Sequence, residues 1–434
     1  MNAFDNFLTP GMRGHLVGIG GVSMSPLAEV LLGAGLTIVG SDINESDNVQ
    51  HLRELGIRVA IGHRAENITE TLDFVVRTAA VHDDNPEIME AHRLNIPVFE
   101  RTEAWGAIMK DYKNALCIAG THGKTTTTSM STHILMAAQA DPTVMIGGTL
   151  PLLHAGHRVG NGDTIIMESC EYCNSFLNFY PTVAVILDIE ADHLDFFKDI
   201  EDIKNSFREF ASHVPENGTI IANRDDANTL DALAPLGREI MTFGLTSEAD
   251  VWAKNIVQLG TQTDFDIIYK DRKFTHVTLH VPGLHNVKNA LAATAAAITL
   301  GCGPLAVKYG LAAFTGAGRR FEFKGKFNGA DVYDDYAHHP GELKVLLDAS
   351  EKLGYKRTIV VFQPHTYSRT KALFDDFVEQ LRRPDLTILA EIYAAREQNT
   401  IGISSRDISL QIPNSMYFES FRILRHKFTT NRRQ

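Results

Sequence analysis

Three stretches of the chain share one pattern, in which short apolar runs alternate with longer intervals where apolar residues recur every three or four positions. The short runs predict buried strands and the longer intervals predict helices. Each apolar run leads into a glycine-rich or polar turn before the helical interval begins. This order is typical of α/β units with parallel sheets, so we expect an α/β protein.

The predicted strands fall into three groups along the chain. They are expected from residue 15 and at 36–39, 74–76 and 97–99, then at 115–119, 164–167, 183–187 and 218–222, and finally at 331–333, 358–362 and 386–389. Residues 250–281 alternate between apolar and polar, which predicts antiparallel strands within the second group. A glycine-rich joint at 316–318 precedes the third group. We therefore expect three domains, at residues 1–113, 114–317 and 318–434.

Composition narrows the class of protein. The chain has 434 residues, of which 44% are hydrophobic and 22% charged, as in ordinary globular proteins. Its formal charge of -12 has the wrong sign for binding nucleic acid. An uncharged Ala-rich run before Lys308 is interrupted by Gly301, Gly303 and Pro304, so we expect no membrane span. No export signal is visible, and we expect a cytoplasmic protein.

The strongest local motif follows the strand at 115–119 and precedes a helical interval. It is a phosphate-binding loop in a short G-x-x-G-K-T-T form, with the residues Gly120, Thr121, His122, Gly123, Lys124, Thr125 and Thr126. Glycines let backbone N–H groups approach phosphate oxygens, the lysine neutralises phosphate charge, and the first Thr hydroxyl can hold Mg²⁺. The alternative is a glycine-rich turn with a solvated lysine.

Acidic and imidazole side chains follow two further strands of the second group. Glu168 and Glu171 come after the strand at 164–167, and His193 follows the strand at 183–187 within Glu190 to Asp195. The carboxyl ends of parallel strands meet at one edge of a sheet, so these residues are expected near the phosphate loop. Taken alone, each carboxylate is equally explained as a solvated surface charge.

The run His285-Asn286-Val287-Lys288-Asn289-Ala290 opens an Ala-rich helix expected at 289–300. Asn at a helix start commonly caps the helix, and from the residues alone we prefer that interpretation. The same amides can instead present donors and acceptors to a purine.

Two polar clusters follow strands of the third group, at 334–340 and 363–370.

In the first group, the turn Gly18 to Ser23 together with Asp42 partly matches the dinucleotide-binding fingerprint, although Ser23 stands in place of its third glycine. This turn favours a nucleotide diphosphate at a helix N-terminus without identifying the nucleotide.

Together these motifs resemble the ATP-dependent Mur ligases of peptidoglycan synthesis. The resemblance covers roughly residues 13–420 and rests on motifs in one order, at 15–21 with Met24 and Ser25, 120–126, 190–195, 285–289, 318–321 and 334–340. It implies a Rossmann-like N-terminal domain for a UDP-sugar, a central P-loop-type ATPase domain, and a Rossmann-like C-terminal domain that binds the amino acid. The central domain should combine a parallel sheet with small antiparallel strands.

The resemblance also implies the reaction and its residues. ATP would activate the carboxylate of UDP-N-acetylmuramate as an acyl phosphate, which the amine of L-alanine then attacks, with Mg²⁺ as cofactor. It implies catalytic roles for Lys124, His193, Arg320, Asp335 and His338, and metal binding by Thr125, Glu168 and His193. It implies ATP contacts from residues 120–126, His285, Asn286, Asn289, Arg320 and Asp335, which replaces our preference for capping. It implies UDP-sugar contacts from His15, Gly18, Ile19, Gly20, Gly21, Ser23, Met24 and Asp42, and amino-acid contacts from Tyr336, His365 and Arg369.

The end of the chain departs from this resemblance. Residues 421–434 contain five Lys or Arg and no acid, where a strand, a Gly-rich turn and a closing helix are expected. We interpret 422–434 as an atypical basic end that leaves the third domain incomplete, through truncation or a frame shift. The alternative is a genuine short basic tail.

Other functions remain open from the sequence. A ligase that adds a preformed peptide to UDP-N-acetylmuramate shares the same motifs, and an incomplete third domain could leave a catalytically impaired nucleotide-binding relative. A nicotinamide oxidoreductase could use the turn at 18–21, but it leaves the Lys124 loop without a role. We expect a monomer or a homodimer.

Overall fold

The structure is a computed structural model and describes residues 3–78, 80–194, 196–395 and 397–420. The predicted basic end at 422–434 lies outside the described residues, as does Asp195. The described chain forms three units in chain order, each built on its own sheet or sheets. None of the described helices combines the length and the apolar composition that a membrane span requires.

The first unit is a parallel sheet covered by helices. Its elements are β1 Arg13–Val17, α1 Met24–Gly33, β2 Thr37–Asp42, α2 Asp47–Glu54, β3 Arg58–Ile61, β4 Phe74–Arg77, α3 Pro86–Arg93, β5 Val98–Glu100 and α4 Arg101–Ile108. The five strands are ordered β3-β2-β1-β4-β5, and all neighbours are parallel. Local sequence sets the helix starts, as in α4, where Glu100 and Glu103 form a capping box.

The central unit is a ten-stranded mixed sheet. Its elements are β6 Asn114–Ala119, α5 Lys124–Ala137, β7 Thr143–Leu150, β8 Ala155–Arg158, β9 Thr164–Glu168, β10 Val183–Ile186, α6 Ile200–Ser212, β11 Thr219–Asn223, α7 Ala227–Leu233, β12 Ile240–Gly244, β13 Val251–Leu259, β14 Gln262–Tyr269, β15 Arg272–Leu279, α8 Leu284–Thr299 and α9 Pro304–Ala313. The strand order is β15-β14-β13-β12-β11-β10-β6-β9-β7-β8. Its middle is parallel, and β13, β14 and β15 are antiparallel, as the alternation at 250–281 predicts.

The third unit contains two separate sheets. Its elements are β16 Glu322–Phe327, β17 Ala330–Asp334, α10 Pro340–Glu351, β18 Ile359–Phe362, α11 Tyr367–Ala372, α12 Phe374–Leu381, β19 Leu386–Ala390, α13 Ser405–Leu410 and β20 Ser415–Phe418. Strands β18, β19 and β20 form a parallel sheet. The strand predicted at 331–333 was expected to open this parallel arrangement, and that interpretation is wrong. It is β17, which pairs antiparallel with β16 across a tight turn.

Short 3₁₀ helices complete the described elements, at Ala3–Phe7, Ala65–Asn67, Met109–Asp111, Tyr172–Asn178 and Ala234–Leu236.

The three units are joined in two different ways. Trp105 and Met109, at the end of the first unit, share one apolar core with Phe176 and Phe179 of the central unit. The main apolar cluster of the third unit, around Phe377, contains only third-unit residues within the described chain. The third unit meets the central unit largely through polar and ionic contacts, such as that between Arg369 and Asp192.

Candidate active site

The phosphate loop has the strand–loop–helix context that the sequence predicts. Strand β6 ends at Ala119, the loop follows, and α5 begins at Lys124. Gly123 has φ of 79°, a left-handed conformation that favours glycine, and a Cβ there would lie 2.6 Å from Asn289 Oδ1. The glycine therefore allows both the turn and the close approach of α8.

Lys124 is held as a fixed cation beside this loop. Its Nζ donates to Glu171 Oε2 at 2.9 Å and to the Thr121 carbonyl at 3.2 Å. Burial opposes the charged form, but the neighbouring Glu171 carboxylate raises the pKa of Lys124 above its ordinary value. A charged ammonium at this position suits the negative charge of a polyphosphate.

Two of the three predicted metal ligands lie in direct contact. Thr125 Oγ1 donates to Glu168 Oε1 at 2.9 Å, and Glu168 Oε2 accepts from the Gly147 N–H at 2.6 Å. A hydroxyl and a carboxylate are hard oxygen donors, the type that Mg²⁺ prefers. This pair fits the predicted magnesium site.

His193, the third predicted ligand, lies against other carboxylates. Its Nε2 is 3.7 Å from Glu171 Oε1 and 3.8 Å from Asp192 Oδ2, and its ring lies 4.6 Å from that of Tyr172. Burial lowers the pKa of His193, although the Asp192 and Glu171 carboxylates oppose this effect. Glu171 thus links His193 to Lys124.

A first cavity of about 430 Å³ opens beside the phosphate loop. It brings together most of the predicted ATP contacts, namely His122, Gly123, Thr125, Thr126, His285, Asn286, Asn289, Arg320 and Asp335. The sequence reasoning missed other wall residues, including Asn223, Asp225, Asp226, Phe243, Lys288, Phe314 and Glu342. Asn223 and Asp225 end or follow β11, so the same strand-end rule could have found them.

Asn286 and Asn289 do not cap a helix. Helix α8 begins at Leu284, five residues before the predicted start, and Gly283 is its N-cap. Asn286 Nδ2 donates to the Pro282 carbonyl at 2.7 Å, and Asn289 approaches Asn286 Oδ1 at 3.4 Å. The initial preference for capping is therefore wrong, and both amides form part of the cavity wall.

His122 connects the phosphate loop to the third unit. Its Nε2 lies 3.2 Å from Glu190 Oε2, and its Nδ1 lies 3.6 Å from Glu342 Oε1 of α10. Burial disfavours the imidazolium, but the two carboxylates outweigh it and raise the pKa of His122 to about 10. Nearby, Asp188 Oδ1 accepts a hydrogen bond from the backbone N–H of His122 at 2.8 Å. Burial raises the pKa of Asp188 to about 6.

Asp335 and Arg320 enter the first cavity from the third unit. Both oxygens of Asp335 accept backbone N–H groups, from Phe321 and Ala337, each at 2.7 Å. Burial raises the pKa of the Asp335 carboxyl. Arg320 Nη1 lies 3.7 Å from Glu342 Oε1. Asp335 therefore orders the loop that carries Arg320 at the cavity.

A second cavity of about 510 Å³ lies between the central and third units. Its wall includes the three predicted amino-acid contacts and two predicted catalytic histidines, Tyr336, His365, Arg369, His193 and His338. Arg369 Nη2 donates to Asp192 Oδ1 at 3.0 Å, and both side chains are about nine-tenths buried. Burial opposes ionisation of Asp192, but His193 and Arg369 lower its pKa to about 2. Tyr172 and Glu397 complete this wall and were missed from sequence.

The turn after β1 has the tight geometry expected of a nucleotide-binding turn. Gly18 has φ of 77°, and Asp42 Oδ2 accepts from the Gly20 N–H at 2.9 Å. Ser23 Oγ accepts from Arg101 at 2.5 Å. The side chains of three other predicted contacts, His15, Ile19 and Met24, are buried in the first unit. Ile19 and Met24 pack in the apolar core, and His15 Nε2 lies 3.6 Å from Glu87 Oε1. The role of the turn in binding a UDP-sugar stays a prediction.

Comparison with known proteins follows the same three-part division. Models described as "Mur ligase family, catalytic domain", "Mur ligase middle domain" and "Mur ligase, glutamate ligase domain" match residues 13–113, 118–297 and 319–428. The UDP-N-acetylmuramate–L-alanine ligase of Agathobacter rectalis is 49% identical over 412 residues, covering 94% of this chain and 90% of that protein. The protein of the same name from Clostridium novyi is 47% identical over 391 residues, covering 90% of this chain and 85% of that protein.

A solved structure extends the likeness to the whole fold. The UDP-N-acetylmuramate-alanine ligase of Thermotoga maritima superposes with a TM-score of 0.77 at 28% identity, covering 95% of this chain and 92% of that one. With the three domain matches and the identity to the two relatives, this shows that the chain belongs to the Mur ligase family.

Proposed function

We propose that this chain is an ATP-dependent ligase that joins L-alanine to the carboxylate of UDP-N-acetylmuramate, giving UDP-N-acetylmuramoyl-L-alanine, ADP and phosphate. The relatives at 49% and 47% identity carry this name. The structural observation that carries the proposal is the polar path from Lys124 through Glu171 to His193. It runs from the phosphate loop to the second cavity, where Arg369 lies.

ATP occupies the first cavity in this proposal. Its phosphates lie along residues 120–126, and the base lies among apolar walls from Phe243, Val281 and Phe314 near Asn286 and Asn289. Lys124 and Arg320 supply positive charge to the phosphates. Positioning and electrostatic stabilisation supply most of the catalysis in phosphoryl transfer, so fixed cations are the groups such a site needs.

The reaction has two steps. A carboxylate oxygen of UDP-N-acetylmuramate attacks the γ-phosphorus of ATP, and ADP leaves. The amine of L-alanine then attacks the acyl carbon, loses a proton, and expels phosphate. His338 lies in the second cavity and is the candidate for receiving that proton, and His193 lines the same cavity.

Mg²⁺ would be held by Thr125 and Glu168, whose oxygens already lie together, with His193 as the further candidate. When bound, the ion neutralises phosphate charge.

The second cavity takes L-alanine. Arg369 is the partner for its carboxylate, because a guanidinium can bind a carboxylate through two parallel hydrogen bonds. Tyr336 and His365 line the same wall.

The UDP-sugar lies on the turn at 18–23 with Asp42, and its muramoyl carboxylate extends towards the phosphate loop. The domain boundaries at 113 and 317, the cytoplasmic location and the monomeric or homodimeric state are part of this proposal.

Phosphate release tests the proposal. The purified chain is assayed with ATP and Mg²⁺, adding UDP-N-acetylmuramate and L-alanine separately and together, with Lys124→Ala as the inactive control. We expect release only when both are present. Release with a preformed tripeptide in place of alanine would instead support the peptide-adding ligase. ATP binding without any turnover would support the impaired relative.

A further inference from the structure

A second group of candidate metal ligands lies apart from Thr125 and Glu168. One ligand atom each from His122, Glu190 and His339 lies within 4.8 Å of the other two. His122 and Glu190 belong to the central unit, and His339 is the N-cap of α10 in the third unit. The group therefore spans the boundary between the two units.

The nitrogens of both imidazoles are arranged so that one of each can ligate an ion. His339 Nδ1 accepts from the Gly341 N–H at 3.2 Å, so this nitrogen is unprotonated, and an ion bound to it would replace this hydrogen bond. In His122, Nδ1 faces Glu342 Oε1 at 3.6 Å and Nε2 faces Glu190 Oε2 at 3.2 Å, so an ion at Nε2 would displace the proton that this nitrogen carries in the metal-free protein. A carboxylate behind a ligating histidine is a common support in metal sites, because it fixes the tautomer and the ring orientation.

Gly341 lies beside the space between these three atoms. A Cβ placed on Gly341 would lie 3.3 Å from His339 Nδ1, 3.5 Å from Glu190 Oε2 and 3.7 Å from His122 Nε2. The three candidate ligand atoms thus surround one position beside a residue without a side chain. Zn²⁺ binds such atoms at about 2.0–2.2 Å, so an ion at this position would require each ligand atom to move inward by about 1–1.5 Å.

The group borders the first cavity, whose wall includes His122, Glu190 and Gly341, so an ion can enter it from that cavity. His339 itself is buried, with 7% of its surface exposed.

We infer that His122, Glu190 and His339 form a site for one divalent ion of the Zn²⁺ type, which joins the phosphate loop to the third unit. Two imidazoles and one carboxylate suit Zn²⁺ or Co²⁺, whereas Mg²⁺ prefers oxygen ligands. Three protein ligands leave a fourth position open to water. The site is separate from the proposed magnesium site and does not depend on the proposed reaction.

The test is metal binding by the full chain in saturating Mg²⁺. Co²⁺ is titrated by its visible absorption, and Zn²⁺ by competition against bound Co²⁺. We expect one Co²⁺ per chain with tetrahedral bands, displaced by Zn²⁺. His339→Gln and Glu190→Gln should weaken binding at least 100-fold, and Glu342→Gln about 10–100-fold, the range for a supporting carboxylate. His92→Gln, which removes an exposed histidine of α3, should bind as the unchanged chain does.

Gly341→Ala is the variant that decides the result if a ligand variant folds poorly. It keeps all three ligands and places a methyl group in the space between them, so we expect at least a tenfold loss of Co²⁺ affinity. Circular dichroism checks the fold of each variant. The inference is overturned if Gly341→Ala and His339→Gln both bind Co²⁺ like the unchanged chain, or if Thr125→Val abolishes the binding.

Discussion

The two boundaries of the central unit differ in chemistry. Towards the first unit, Trp105 and Met109 pack with Phe176 and Phe179 in one apolar core. Towards the third unit, the contacts are ionic, such as Arg369 with Asp192 and His122 with Glu342. Apolar burial favours a fixed arrangement, whereas polar contacts between domains leave relative motion as the ordinary expectation. The first two units therefore form one body, and the third is positioned by charge.

The two ends of the candidate active site also differ in which units build them. The phosphate end, with Lys124, Glu171, Thr125 and Glu168, is built by residues of the central unit. The second cavity needs residues from both sides of the ionic boundary. We expect changes at the phosphate end to act on chemistry and changes at the second cavity to act on assembly and substrate affinity.

The largest expected effect is at the phosphate end. Lys124→Ala removes the ammonium beside the loop and leaves Glu171 without its cation. We expect phosphate release to fall by about 10³-fold or more, the scale on which a cation at a transferring phosphoryl group acts. Lys113→Ala, an exposed lysine of the first unit, should retain full activity. Activity of Lys124→Ala within tenfold of the unchanged chain would remove the phosphate loop from the mechanism.

Much of this end could be predicted from sequence. A glycine-rich loop between a buried strand and a helix is a local signal, and the strand-end rule placed Glu168 and His193 near it. The boundary with the third unit could not be predicted. Glu342 carries no local signal beyond its place in the first turn of α10, and its contact with His122 joins residues far apart in the chain.

The sequence pattern also did not predict which strands pair with each other. Periodicity correctly predicted a strand near 331–333, but the partner of a strand depends on the rest of the fold, and β17 pairs with β16. Helix α8 was predicted to start too late, because Leu284 to Lys288 mix polar and apolar residues and Gly283 as N-cap leaves no side-chain signal. Helix boundaries depend on such caps more than on periodicity.

The second largest effect is expected across the ionic boundary. Arg369→Ala should lower kcat/KM for L-alanine by about 100-fold, chiefly through KM, because a buried guanidinium that binds a carboxylate contributes about 2–5 kcal/mol. Asp192→Asn leaves the guanidinium free for alanine and should change KM by less than about tenfold. Steady-state kinetics with varied L-alanine measures both. Equal losses of kcat/KM in the two variants would show that Arg369 acts through its ion pair with Asp192 between the two units, and not by binding alanine.

A smaller effect is expected for the oxygen pair at the phosphate end. Thr125→Val removes the hydroxyl that contacts Glu168 and conserves the size of the side chain. We expect the Mg²⁺ concentration for half-maximal phosphate release to rise about tenfold, with the KM for L-alanine unchanged, since the loss of one ligand weakens a metal site without touching the second cavity. Thr132→Val, the same change further along α5 at a hydroxyl that donates to the Thr128 carbonyl, is the matched control. A rise in the alanine KM would show that the two ends are coupled.

The smallest expected effect is a pH dependence at the ionic boundary. The pKa of His122 is raised from 6.5 to about 10 by Glu190 and Glu342, although burial opposes this. Between these two values the folded protein, when no ion is bound at His122, holds a proton that the unfolded chain releases. The stabilisation is therefore fully present below pH 6.5 and is lost as pH rises to about 10. The apolar boundary at Trp105 has no titratable histidine among its described core residues, so we expect its contribution to stability not to change over this pH range.

His122→Asn removes the titrating imidazole and tests this sign. At pH 7 the variant should melt about 2–4 °C below the unchanged chain, which corresponds to roughly 1 kcal/mol. At pH 10 the gap between the two melting temperatures should narrow, because at the pKa of His122 about half of the folded unchanged chain has lost this proton. His92→Asn, at an exposed histidine of the first unit, should follow the unchanged chain at both pH values. A gap between His122→Asn and the unchanged chain that is the same at pH 7 and pH 10 would mean that packing of the ring, and not its charge, joins the third unit to the phosphate loop.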